Sequence, residues 1–280
     1  MIIVPFSDQA PVESVGVKGR TLCRLAAAGL PVPAGFCVTV EGLKNIAASR
    51  DAVESALNDL ESERVAVRSS AIEEDCTAAS FAGIYLSRLN VSGVDSVIQS
   101  LEDVRSSAWS SSAIAYRRRC GIVGPPAMAA VVQTLVNAAA SGVLFMRDPI
   151  EGSSRIVVEA SWGLGEAVVQ GLVTPDRWIL SSQGDVINFK MAGKDVEIVP
   201  HGNSGTNQLA IDDNRRGRPC LDADSLKELV RVGRICEELL GVPQEIEWSI
   251  AADTIWILQS RPIVASPAHK HRLNHAGVVE

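Results

Sequence analysis

The sequence predicts an α+β fold organised as two lobes. Segments of helical and strand period mix throughout the chain, Gly124-Pro125-Pro126 breaks it near the middle, and the residues after that break are richer in short strand-like runs. The 280 residues suffice for one large domain or two lobes, and 46% hydrophobic with 21% charged residues is ordinary globular usage. The expected boundaries are 1–125 for the first lobe, 126–265 for the second and 266–280 for a tail.

In the first lobe Lys18–Ala28 reads as a helix, with Leu22, Leu25 and Ala26 on one face and Gly29 and Pro31 as the stop. Gly35–Val40 reads as a strand, Asp51–Leu60 as an amphipathic helix and Arg64–Arg68 as an alternating strand. Ser69–Gly83 is small and acidic, and reads as a loop. Ser87–Val91 reads as a short strand, and Val94–Arg119 as one long helix with Val97, Leu101, Val104 and Ala108 buried. In the second lobe Met128–Val136, Gly142–Met146, Arg155–Ala160, Arg177–Ser182, Asp185–Lys190 and Asp195–Val199 are short apolar strands. Gly202–Pro219 is polar and rich in Gly, Asn and Arg, so a mobile loop is expected there. Leu226–Leu240 follows as a helix, then Gln244–Ile250 and Thr254–Gln259 as a hairpin.

Charge and composition exclude some functions. Lys plus Arg is 26 against 33 for Asp plus Glu, a net charge of −7, which argues against a broad basic surface for nucleic acid but leaves room for a local anion pocket. No run reaches the ~18 apolar residues of a membrane span. Met1–Asp8 has neither a basic region nor enough apolar length for a signal peptide. The expectation is a cytoplasmic protein with no nucleic-acid or membrane partner. The six cysteines form no C-x-x-C pair and read as reduced packing thiols. Of four histidines, His269, His271 and His275 crowd the last dozen residues as a tail, and His201 stands in a polar, solvated stretch.

The final hairpin carries the most chemistry. With a turn centred on Ala252, position 245 pairs with 259 and 247 with 257, so Glu247 and Gln259 become diagonal neighbours on one sheet face, with Arg261 just beyond. A carboxylate, an amide oxygen and a guanidinium on one face suit a magnesium–phosphate site, because Mg²⁺ takes oxygen ligands and arginine forks onto phosphate. A polar outer face with a surface ion pair is the other reading. Arg68 ends a strand and enters Ser69-Ser70, where it could hold a phosphate or be an ordinary surface cation. Lys18 opens a helix at the end that carries positive dipole charge, a placement that a bound anion would relieve and solvent would also tolerate. Gly163-Leu164-Gly165 completes no dinucleotide fingerprint, and no phosphate-loop motif of the G-x-x-x-x-G-K type exists.

Ordered blocks across residues 10–265 resemble the N-terminal nucleotide-binding domain of the phosphoenolpyruvate synthase and pyruvate phosphate dikinase family, which rifampin phosphotransferases share. They are Val67-Arg68-Ser69-Ser70-Ala71, Glu74-Asp75, Ala79-Ser80-Phe81-Ala82-Gly83, Leu89-Asn90-Val91, Val131-Val132-Gln133 and Ala140-Ser141-Gly142-Val143-Leu144-Phe145 with Asp148-Pro149. Glu159-Ala160-Ser161-Trp162-Gly163-Leu164-Gly165-Glu166, Val173-Thr174-Pro175-Asp176, Ile246-Glu247-Trp248 and Leu258-Gln259-Ser260-Arg261-Pro262-Ile263 complete the series.

The resemblance implies a two-lobed ATP-grasp-like domain with ATP between the lobes. Position by position, it makes Lys18 and Arg68 phosphate-binding residues, Gly83 the glycine of the loop over the phosphates and Ser87 a hydroxyl where threonine is usual. Gln133 and Leu135 fall in the segment at the adenine edge, Glu247 and Gln259 match the Mg²⁺ ligands, and Arg261 matches the arginine beside the transferred phosphate. Val17 departs from the family's G-G-K, Ile72 from a common threonine, and Ile84-Tyr85-Leu86 from a polar trio. No histidine sits in a G-G-x-T-S-H-like setting. The expectation is therefore an ATP-binding component that phosphorylates a histidine on a separate partner chain, on the way to a small-molecule acceptor. The alternatives are a kinase acting directly on a small molecule and a nucleotide-binding module without turnover.

Overall fold

The structure is a computed structural model in which residues 1–74 and 84–263 are described. They divide into two compact units. Unit 1 takes the described part of Met1–Leu135 together with Pro200–Thr206; unit 2 takes Val136–Val199 and the described residues from Asn207 onward. The chain leaves unit 1 after Leu135 rather than at Pro125, because the segment that follows the Pro-Pro break is a strand bonded on both sides within the first unit's sheet.

In unit 1, β1 (Ile3–Pro5), β2 (Gly35–Val38), β3 (Val65–Ala71), β4 (Ser87–Val91) and β5 (Met128–Thr134) form an antiparallel sheet in the order β1-β2-β5-β3-β4. α1 (Val12–Ala27) covers one face, where Val4, Cys37 and Val131 pack with Val15, Leu22 and Cys23. On the other face Phe36, Val67 and Val132 pack with residues of α3 (Ile46–Asp59), which follows the short α2 (Val40–Lys44), and of α4 (Val94–Ser107) and α5 (Ser111–Arg119). Covered on both sides, β5 is buried from Met128 to Gln133, which explains its apolar run without alternation. The expected single helix over 94–119 is two helices. Ser110 is extended (φ −61°, ψ 150°) and its hydroxyl accepts from the Ala113 N–H, capping a fresh start.

In unit 2, β6 (Ala140–Phe145) and β7 (Ile156–Trp162) are followed by α6 (Glu166–Val169), β8 (Asp176–Leu180) and β9 (Val186–Lys190). β10 (Val196–Pro200) and β11 (Thr206–Ala210) form a two-stranded ribbon, then α7 (Asp213–Arg216), α8 (Ala223–Leu240), β12 (Gln244–Ala251) and β13 (Thr254–Pro262) complete the chain. The main sheet is antiparallel in the order β13-β12-β6-β7-β8-β9. α8 descends on the face of Leu144 and Met146 at Gly233, where a Cβ would lie 2.3 Å from Met146 Sδ. Strand alternation therefore sends Ile246 and Trp248 to that face and Glu245, Glu247 and Ser249 to the other.

The loop expected over Gly202–Pro219 contains β11 and α7. Arg215 of α7 forks onto Glu197 at 2.7 and 2.8 Å, lies 4.8 Å over the Trp162 ring, and its carbonyl accepts from the Trp162 indole N–H at 3.1 Å. Asp176 is a fully buried polar anchor of the unit. Its carboxylate accepts from Lys194 Nζ at 2.5 Å, from the Ala192 N–H at 2.8 Å and from the Cys220 N–H at 3.0 Å, with both charged side chains fully buried.

Candidate functional site

Two sets of side chains answer to the sequence expectations, one in each unit. In unit 1 the set forms where α1 meets β3. Gly16 interrupts the helix with φ +71°, and a Cβ there would fall 2.1 Å from the Ser70 carbonyl oxygen, so the close approach requires glycine. Ser70 stitches the contact: its hydroxyl accepts from the Gly19 N–H at 3.0 Å and donates to the Val15 carbonyl at 2.7 Å. Lys18 lies inside this turn, and its ammonium pairs with Glu74, whose other oxygen accepts from the Ala71 N–H at 3.2 Å. The cation at the helix start, which in sequence terms invited an anion, has a carboxylate from fifty-six residues further on. No spacing rule joins positions 18 and 74, so Glu74 was visible only as part of the Glu74-Asp75 block.

Arg68 on β3 lies directly opposite Ser87 on β4 and Val131 on β5. The pairing puts all three on the face that α1 covers, together with Ser70 two residues along. Gln133 shares this face, opposite Ala66 and Gly35; it is 2% exposed and its Nε2 has no hydrogen-bond partner. Leu135, half-buried past the strand end, donates its N–H to the Arg64 carbonyl at 2.9 Å. Gly83 lies outside the described residues.

In unit 2 the hairpin register differs from expectation in two compensating ways. Ala252 and Asp253, both left-handed (φ 47° and 60°), make a two-residue turn with Ala251 opposite Thr254. A bulge at Leu258 then separates the pairs Trp248–Ile257 and Glu247–Gln259. Glu247 and Gln259 are consequently directly opposite rather than diagonal. Arg261 stands opposite Glu245 and is ion-paired with it, both side chains buried. Sequence reasoning kept an ion pair on this face as its alternative but did not name Glu245 as the partner, although Glu245 shares the parity of Glu247.

The pairings continue across the sheet as one row: Gln259, Glu247, Val143, Glu159, Arg177 and Lys190. Arg177 Nε lies 3.7 Å from the Glu159 carboxylate. Glu159, Arg177 and Lys190 were not singled out in the sequence, because they join the row only through strand pairings distant along the chain. Among the described residues no three His, Cys, Asp or Glu side chains group to hold a metal by themselves. A carboxylate and an amide oxygen on directly paired positions fit a hard cation whose remaining ligands are water and substrate oxygens, the usual pattern for Mg²⁺.

Residues 46–276 match the family described as pyruvate phosphate dikinase, AMP/ATP-binding domain. The chain belongs to this family. The resemblance drawn from the sequence blocks thus holds at the family level, and the matched range contains Arg68, Gln133, Glu247, Gln259 and Arg261. Rifampicin phosphotransferase of Streptomyces sviceus is 34% identical, covering 91% of this chain and 35% of the relative. The prodigiosin synthesizing transferase PigC of Serratia marcescens is 32% identical, covering 94% and 33%. A probable phosphoenolpyruvate synthase of Methanocaldococcus jannaschii is 32% identical, covering 90% and 26%. The chain spans about a third of the length of such curated relatives. Among the described residues no helix is long and apolar enough to cross a membrane.

Proposed function

We propose that this AMP/ATP-binding domain binds ATP with Mg²⁺ and passes a phosphoryl group to a histidine on a partner polypeptide, on the way to a small-molecule acceptor. The observation that carries the reading is Glu247 directly opposite Gln259 in a chain of this family. In this reading Glu247 and Gln259 hold the metal, and Lys18, Arg68, Gly83 and Ser87 hold the phosphates. When bound, Mg²⁺ offsets charge on the phosphate oxygens. Gln133 and Leu135 meet the adenine edge; a buried amide N–H without a partner costs about 1–3 kcal/mol, and a ring nitrogen would relieve it.

Lys18, Arg68 and Arg261 stabilise charge developing on the phosphates. The carboxylates of Glu74 and Glu245 support this by fixing Lys18 and Arg261 in place before substrate arrives, so little reorganisation is left for the reaction. The histidine step rests on the chemistry of the family that the sequence blocks resemble; the relatives that carry this domain are about three times as long as this chain.

The test is label transfer. The purified chain is incubated with Mg²⁺ and β-labelled or γ-labelled ATP, with and without a separately produced histidine-bearing domain. Acid-labile label is expected on the added domain, only when Mg²⁺ and the chain are both present. Stoichiometric phosphohistidine on this chain's own His201, His269, His271 or His275 would contradict the partner assignment. Label on an added small molecule in the absence of the domain would favour direct phosphorylation.

A further inference from the structure

Two thiols in unit 1 have no place in the nucleotide reading. Cys23 on α1 and Cys37 on β2 are 1% and 0% exposed and belong to one packed cluster with Val15, Leu22 and Val131. The β2 sulfur lies against the helix: a Cβ at Gly19 would fall 2.6 Å from Cys37 Sγ, and Cys23 is one helical turn further on the same face. The two thiols are close enough that each is the largest influence on the other's acidity, and the Cys23 thiol donates to the Pro5 carbonyl at 3.9 Å. Cys23, unlike Cys37, is also among the residues lining a cavity of about 520 Å³ with Gln9, Pro11, Glu13, Arg20 and Arg24, most of them exposed, which places Cys23 nearer than Cys37 to an entering solute.

We infer that Cys23 and Cys37 are an oxidisable dithiol that closes to a disulfide when the protein meets a peroxide. The Cys23 sulfur attacks one peroxide oxygen and the O–O bond breaks. One water leaves, and Cys23 becomes a sulfenic acid. The Cys37 sulfur then attacks the Cys23 sulfur, the S–S bond forms, the S–O bond breaks, and a second water leaves with the Cys37 proton. The two thiols give up two electrons and the peroxide becomes two waters.

The chemistry favours this pair over the buried Cys220 and Cys236. The neighbouring Cys37 lowers the Cys23 thiol against the opposing effects of burial and Asp8, and Cys23 in turn raises Cys37, which suits Cys23 as the first nucleophile. Burial pushes Cys236 up to about 12 and raises Cys220 further, which disfavours the thiolate that attacks a peroxide. The bond would staple α1 to β2 a little more than one turn beyond Lys18.

Peptide mapping decides it. Cys23 lies in the tryptic peptide Thr21–Arg24 and Cys37 in Leu25–Lys44, so their cross-link is visible directly. The reduced full chain is treated with a stoichiometric amount of hydrogen peroxide, denatured in excess alkylating agent and digested without reductant. The expected result is a cross-linked Thr21–Arg24/Leu25–Lys44 species that vanishes on reduction. In the Cys37→Ser variant, sulfenic or sulfinic acid should instead accumulate on Cys23. The wild-type experiment stands alone if that variant fails to fold. Two alkylated thiols after peroxide, or sulfinic acid on wild-type Cys23 beside an alkylated Cys37, would overturn the inference.

Discussion

Replacing Glu247 by alanine is expected to weaken ATP binding in Mg²⁺ by about 100-fold, roughly 2.8 kcal/mol, and to change binding in EDTA by no more than about twofold. The substitution acts on the site rather than the fold. Glu247 lies on the sheet face opposite α8, its strand is paired on both sides with Val143 and Gln259, and the large buried neighbour Trp248 points the other way. Removing the carboxylate leaves the core intact and takes away the charged oxygen a hard cation needs. Glu247→Gln should fall between the two, since it keeps an oxygen and loses the charge. Calorimetric titration with ATP checks the affinities, and a thermal melt checks the fold. An alanine variant that binds Mg–ATP as tightly as the parent would remove Glu247 from the metal site.

The largest effect on stability is expected at Lys194. Lys194→Met leaves the Asp176 carboxylate buried with two backbone N–H donors and no counter-charge, at a cost of about 3–5 kcal/mol. At about 2–4 °C per kcal/mol for a domain of this size, the melting temperature should fall by roughly 10 °C. Adding Asp176→Asn should recover part of the loss, because a neutral amide still accepts an N–H and needs no counter-ion. Differential scanning calorimetry of the parent, the single and the double variant measures this. A Lys194→Met protein that melts with the parent would show that the pair contributes nothing net.

Both sites show which features local sequence carries. The face shared by Glu247 and Gln259 was legible from parity, even though the register was not. The two-residue turn at Ala252-Asp253 moved the pairing by one position, the bulge at Leu258 moved it by another, and two shifts of one restore the same face. Strongly periodic segments such as α8 and β12 were legible for the same local reason.

What was missed depends on contacts distant in sequence. Glu74 reaches Lys18, Glu159 meets Glu247 only through β6, and Arg177 meets Glu159 only because β8 pairs with β7. The short helix inside 202–219 is likewise fixed by Trp162 and Glu197 gripping Arg215, not by its own polar composition. The helix break at Ser110 was hidden in Ser110-Ser111-Ser112, where any of three hydroxyls offers a cap. Arg261 illustrates the limit in the candidate site itself: it was expected just beyond the strand end, and its place within β13 opposite Glu245 required the true register.

The claim that this chain is a Mg²⁺-dependent ATP-binding domain is tested most directly by titrating the unaltered protein with ATP in a calorimeter, first with Mg²⁺ and then with EDTA. Saturable binding of one ATP per chain is expected in Mg²⁺, weakening at least about tenfold, roughly 1.4 kcal/mol, when the metal is removed. No saturable heat in Mg²⁺, or the same affinity in EDTA, would contradict it.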